Sequence, residues 1–76
     1  MMEQYLDVDG DSGVEAYEVG ADYIDVKFKE TAKVYRYTYD TAGRENVEHM
    51  KNLARQGDGL NSFIGLNQRV KYGYVR

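Results

Sequence analysis

The chain reads as an α+β domain: a three-stranded antiparallel β-meander with one main helix packed on one face, and a C-terminal tail that could add a fourth strand. Three observations carry this reading. Between residues 14 and 39 apolar and polar residues alternate with a period of two in successive short runs. After residue 45 the apolar residues recur at intervals of three and one, as on one stripe of a helix. Glycine-centred turns separate the runs, and proline is absent from the whole chain.

Val14 to Val19 forms the first run, closed by Gly20, Ala21 and Asp22 as a turn. In Tyr23 to Lys29, Ile24, Val26 and Phe28 point one way and Asp25, Lys27 and Lys29 the other, the signature of a half-buried strand. A turn through Glu30 to Ala32 leads into Lys33 to Tyr39. Here Tyr35, Tyr37 and Tyr39 share one face, opposite Val34, Arg36 and Thr38. Three such runs joined by short turns predict a meander. Asp40 to Glu45 reads as a loop around Gly43. Asn46 is placed to cap a helix whose stripe is Val47, Met50, Leu53 and Ala54, with Glu48, Lys51 and Arg55 facing solvent and Gly57 as the C-terminal stop. Asp58 would cap a short second helix gathering Leu60, Phe63 and Ile64, ended by Gly65. The organisation expected is an acidic, partly disordered lead at 1–11, one α+β domain at 12–68, and a basic, aromatic tail at 69–76, strand or disordered.

Composition bounds the rest. Seventy-six residues support a single core, and a chain of this size buries only about 60% of its unfolded surface. Without cysteine there is neither a disulfide framework nor a thiolate metal site. No run approaches the roughly 18 apolar residues of a membrane span, and the start lacks the basic-then-apolar pattern of a signal peptide, so a cytoplasmic protein is expected. The net charge of −3 conceals a division: residues 1–25 carry eight acids and no base, and residues 26–76 carry ten bases against five acids. Such polarity either attracts an anionic partner to one face or is absorbed by internal pairing. We expect internal pairing, with Glu15 and Asp25 facing the lysines and arginines of the sheet.

The segment Asp7 to Glu18, DVDGDSGVEAYE, places carboxylates at positions 1, 3, 5 and 12 of an EF-hand loop through Asp7, Asp9, Asp11 and Glu18. Its glycine falls at position 7, where the motif wants it at 6, and a strand beginning at Val14 would carry Glu18 away from the other three. No metal site is expected. His49 is the single histidine and lacks a Cys, Ser or second-ligand partner at a usable spacing, so it makes neither a triad nor a zinc site. GDGL, Gly57 to Leu60, lacks the lysine and preceding strand of a phosphate loop. Glu45, Glu48 and Asp58 form no concave carboxylate pair of the glycosidase kind. The expectation is a protein that is not an enzyme, with no cofactor and no small-molecule substrate.

The order of features resembles the KTSC domain family, a small module at the C-terminus of some lysyl-tRNA synthetases and a free-standing bacterial and phage protein. The similarity lies in Ser12-Gly13-Val14, in Tyr23 to Phe28, in Tyr35-Arg36-Tyr37, in Val47 to Leu53, and in the G-x-x-x-N-x-x-I spacing of Gly57, Asn61 and Ile64. The chain departs from that family in having no Val-Pro after Tyr-x-Tyr and no tyrosine after the isoleucine. The resemblance implies an accessory binding module, with RNA suggested by the synthetase context.

Eight tyrosines, two phenylalanines and no tryptophan give the chain an unusual aromatic set. On a sheet face beside Lys33, Arg36 and Lys71, tyrosines make a platform on which unpaired bases stack. The same side chains also serve as packing under the helix, with hydroxyls reaching a wet rim. The residues expected to bind nucleic acid are Lys33, Tyr35, Arg36, Tyr37, Lys71 and Tyr72, with single-stranded RNA as the partner. The alternative is a protein-interaction or assembly role, acting through a sheet edge or an edge-strand homodimer.

Overall fold

The computed structural model describes residues 2–8, 10 and 12–75. Among these residues four strands form one antiparallel sheet in sequence order: β1 (Glu3–Gln4), β2 (Val14–Val19), β3 (Tyr23–Phe28) and β4 (Val34–Thr38). Among the described residues four helices follow: α1 (Tyr39–Ala42), α2 (Arg44–Gln56), α3 (Leu60–Leu66) and α4 (Gln68–Lys71). The α+β meander read from the sequence is present. Its fourth strand comes from the N-terminal lead; the tail supplies α4 and then a single bridge from Tyr74 to Tyr37.

The period-two pattern of β3 and β4 sets the layers. Ile24, Val26 and Tyr37 point inward and are buried, and they meet Val47, Met50 and Ala54 of α2. Leu60, Ile64 and Val70 close the core from α3 and α4. Each such side chain contributes about 1.5–3 kcal/mol by leaving water. In β2 the alternation is interrupted. The register passes from Val14↔Phe28 to Ala16↔Lys27, leaving Glu15 as the extra residue of a bulge. That one-residue slip lets both Val14 and Tyr17 face the core although they are three apart.

Described residues of the acidic lead take part in the sheet and the core. Glu3 and Gln4 pair with Tyr17 and Ala16, and Tyr5 is a core residue whose hydroxyl accepts a hydrogen bond from the Leu60 amide at 3.3 Å. Asp7 binds the Ser12 amide through Oδ1 at 3.0 Å and the Lys29 ammonium through Oδ2 at 2.9 Å. Both its oxygens are therefore engaged, and Glu18 lies within β2. Asp9 and Asp11, the middle positions of the EF-hand pattern, lie outside the described residues, as does Arg76 of the tail.

Three local expectations around the helices are corrected. The stretch after Thr38 is no loop. Thr38 and Thr41 form a reciprocal capping box that starts α1, with the Thr41 amide donating to Thr38 Oγ1 at 3.1 Å and the Thr38 amide to Thr41 Oγ1 at 3.0 Å. Asn46 does not cap α2, which already begins at Arg44; its amide donates instead to Ala42 O at 2.8 Å. Gly59 rather than Asp58 precedes α3, which continues through Gly65 to Leu66. Gly57 does end α2, in the left-handed conformation at φ 73° and ψ 27°, which glycine adopts without steric cost.

Lys51 is the fourth correction. It was expected on the solvent face of α2 and is only 5% exposed. Its ammonium donates to Ala21 O at 3.2 Å and pairs with Glu48 at 2.7 Å. Tyr39 donates to the same Glu48 carboxylate at 2.6 Å. The long stem is buried while the head is satisfied by a carbonyl of the β2–β3 turn. The Lys51 and Tyr39 bonds hold the Glu48 carboxyl below its ordinary pKa range, and Glu48 raises that of the Tyr39 phenol.

Gly73 fastens the tail. A Cβ there would lie 2.3 Å from Arg69 O and 2.6 Å from Thr41 O, so only glycine lets the chain pass between α1 and α4. Gly73→Ala is expected to cost about 2–3 kcal/mol, because both obstacles are backbone. Chemical denaturation measures that loss, and the Tyr74 ring resonances should shift with it.

Candidate functional site

The outer face of the sheet is where charge is neutralised. Asp25, 8% exposed, accepts both prongs of the Arg36 guanidinium, from Nε at 2.8 Å and from Nη2 at 3.0 Å. The register Glu18↔Asp25 and Asp25↔Arg36 puts these side chains in one row across three strands. Arg36 also lies over the Tyr23 ring at 3.9 Å. Lys27 pairs with Glu15 at 3.0 Å. Glu15 and Asp25 thus meet bases of the sheet as expected.

The inner face is different at its far edge, where α2 does not reach. There a groove of about 780 Å³ opens between the end of the β3–β4 hairpin and the α3–α4 segment with the tail. Its wall is aromatic. Phe28 and Tyr35 pack edge to face at 5.6 Å, Tyr35 and Tyr74 at 4.8 Å, and Tyr74 and Tyr37 at 6.3 Å. This geometry suits the ring quadrupoles and makes a continuous strip. The strip forms because β4 puts Tyr35 and Tyr37 on one face, and the bridge at Tyr74 lays a third ring beside them.

Of the six residues expected to bind nucleic acid, Tyr35, Tyr37, Lys71 and Tyr72 line this groove. Lys33 stands at its rim, with its ammonium 5.3 Å from the centre of the Tyr35 ring. Arg36 is not part of it; strand alternation turns it to the opposite face, where Asp25 holds it. Tyr72, 61% exposed, is the most open aromatic, with the Lys71 ammonium 5.7 Å from its ring centre. Among the described residues neither Lys33 nor Lys71 has a carboxylate partner. The packing and binding readings of the tyrosines therefore divide by position: Tyr37 is core, Tyr72 is surface, and Tyr35 and Tyr74 lie half-buried between them.

Sequence reasoning did not place Phe28, Asn61 or Gly13 in a site, yet all three line the groove. The spacing of Gly57, Asn61 and Ile64 marked Asn61 without saying what it faces. Only the turn of α3 brings it opposite Phe28 and Gly13. Glu30 and Thr31, from the hairpin turn, add the groove's acidic and hydroxyl edge.

Tyr37 is distinctive electrostatically. Burial, reinforced by the neighbouring Tyr35 and Tyr74 phenols, pushes its pKa from 10.0 up to about 12. The neutral phenol is thus favoured by the fold. Its contribution is complete below pH 10 and is lost as pH rises through 12. Burial likewise raises Tyr5 and Tyr17. Denaturation midpoints should fall steeply between these limits, and Tyr37→Phe should flatten part of that fall. Phenolate absorbance should show a late-titrating tyrosine that disappears in the same variant. No protein-family model, curated protein or solved structure matches this chain.

Proposed function

We propose that this chain is a noncatalytic, cytoplasmic binding module of the KTSC kind that takes single-stranded nucleic acid, RNA foremost, in the tyrosine groove. The observation that carries this reading is the pairing of a continuous aromatic wall with two cations at its rim that have no carboxylate partner among the described residues. Lys27, Lys29, Arg36 and Lys51 are each held by a carboxylate of the chain. Lys33 and Lys71, at the groove, are placed to meet phosphate. Aromatic faces accept any base, and stacking is worth about 1–3 kcal/mol per base. The net charge of −3 keeps non-specific affinity low, because phosphate contacts supply most of that binding.

A second reading rests on the edge of β4. Val34 is 44% exposed there, and the tail bonds to this edge only further along, through the Val75 amide to Arg36 O at 2.7 Å. An edge of this kind supports a homodimer or a protein partner by strand addition.

Titration with single-stranded RNA at two salt concentrations, followed by backbone amide shifts, separates the two. Salt-sensitive shifts at residues 33–37 and 71–74 are expected. Tyr72→Ala should weaken binding about 5- to 100-fold. Replacing Lys33 and Lys71 by Ala should reduce the slope of log affinity against log salt by about one. Absence of any shift with RNA, together with a concentration-dependent dimer, would favour strand addition and sink the nucleic-acid reading.

A further inference from the structure

The groove has a polar floor as well as an aromatic wall. Tyr37 is 2% exposed, and its hydroxyl makes no hydrogen bond among the described residues. No described side-chain oxygen or nitrogen is both sealed from solvent and unpartnered. The Tyr37 hydroxyl therefore keeps some contact with solvent, and Tyr37 lines the groove. The raised pKa of Tyr37, to which Tyr35 and Tyr74 contribute, fits phenols converging on one spot. Across from it stands Asn61, near the start of α3. Its amide is seated against Gly13, where a Cβ would lie 3.2 Å from Asn61 Oδ1. Among the described residues the Asn61 side chain has no hydrogen-bond partner either. A hydroxyl that both donates and accepts thus shares a groove with an amide that offers one of each.

That chemistry discriminates between occupants. A proline ring or an aliphatic side chain would be satisfied by the aromatic wall and would leave both polar groups unused. A planar ring with donors and acceptors on its edge would stack on the wall and satisfy the floor together. We infer that the groove receives one unstacked nucleobase, with Tyr35, Tyr72 and Tyr74 offering ring faces and Tyr37 and Asn61 reading the base edge as specificity-determining residues. This inference rests on the nucleic-acid reading above and adds base selection to it. Single-stranded recognition uses this division of labour, in which stacking supplies affinity and edge hydrogen bonds supply choice. A polar group placed to bond a ligand rejects analogues lacking the partner far more strongly than an apolar wall rejects a change of shape.

The test measures affinities of the intact chain for short oligomers of uridine, cytidine and adenosine, and for an abasic oligomer, by fluorescence anisotropy. The unmodified protein should prefer one base by about tenfold or more and bind the abasic oligomer weakly. Asn61→Ala and Tyr37→Phe should bring the three bases to within about threefold of one another, while Tyr72→Ala should weaken all three alike. Asn61 is exposed, so its replacement leaves the core intact and decides the matter alone if Tyr37→Phe loosens the fold. Binding with no base preference, or a preference that survives both substitutions, overturns base reading and leaves the nucleic-acid reading standing. No binding of any oligomer, or saturable binding of a proline-rich peptide instead, overturns both.

Discussion

Everything in this molecule depends on the shared inner face of β3 and β4. A period-two strand has one face to bury, and here that face is covered along only part of its length. Where α2 lies over it, Ile24 and Val26 join Val47, Met50 and Ala54 in a dry core. Beyond the reach of α2 the same face continues as tyrosine, whose ring is apolar and whose hydroxyl tolerates water. The core and the groove are one surface, covered at one end and open at the other. Tyr37 belongs to both: it is buried in the core and also lines the groove.

Charge follows the opposite face by the same alternation. Asp25, Lys27 and Arg36 all project outward and are paired there. Exposed ion pairs are individually weak, though the two-pronged Asp25–Arg36 bond has good geometry and a largely shielded carboxylate. Their larger consequence is selection. By occupying Lys27, Lys29 and Arg36, the acids Glu15, Asp7 and Asp25 take up bases of the sheet, while Lys33 and Lys71 stay available at the groove.

The C-terminal segment completes the groove. Gly73 passes between backbone carbonyls that a side chain would strike, so the segment has a narrow path. That path delivers Tyr74 to the edge of β4 and leaves Tyr72 outside, on the open side. Without it β4 would present two tyrosines on a bare edge.

What could be read in advance was local. The alternation of Tyr23 to Phe28, the stripe from Val47 to Ala54 and the stop at Gly57 each express the preference of a few neighbouring residues, and each was found in place. The facing of Tyr37 against Arg36 also followed from alternation alone. The bulge at Glu15, the burial of Lys51, the core position of Tyr5 and the passage of Gly73 did not follow. Each is decided by a partner distant in the chain: the bulge by Lys27 and Phe28, Tyr5 by Leu60, Lys51 by Ala21, Gly73 by Thr41. The sequence by itself determined which residues share a face. Only the tertiary structure decided which part of that face is covered, because coverage depends on where α2 ends and the tail begins.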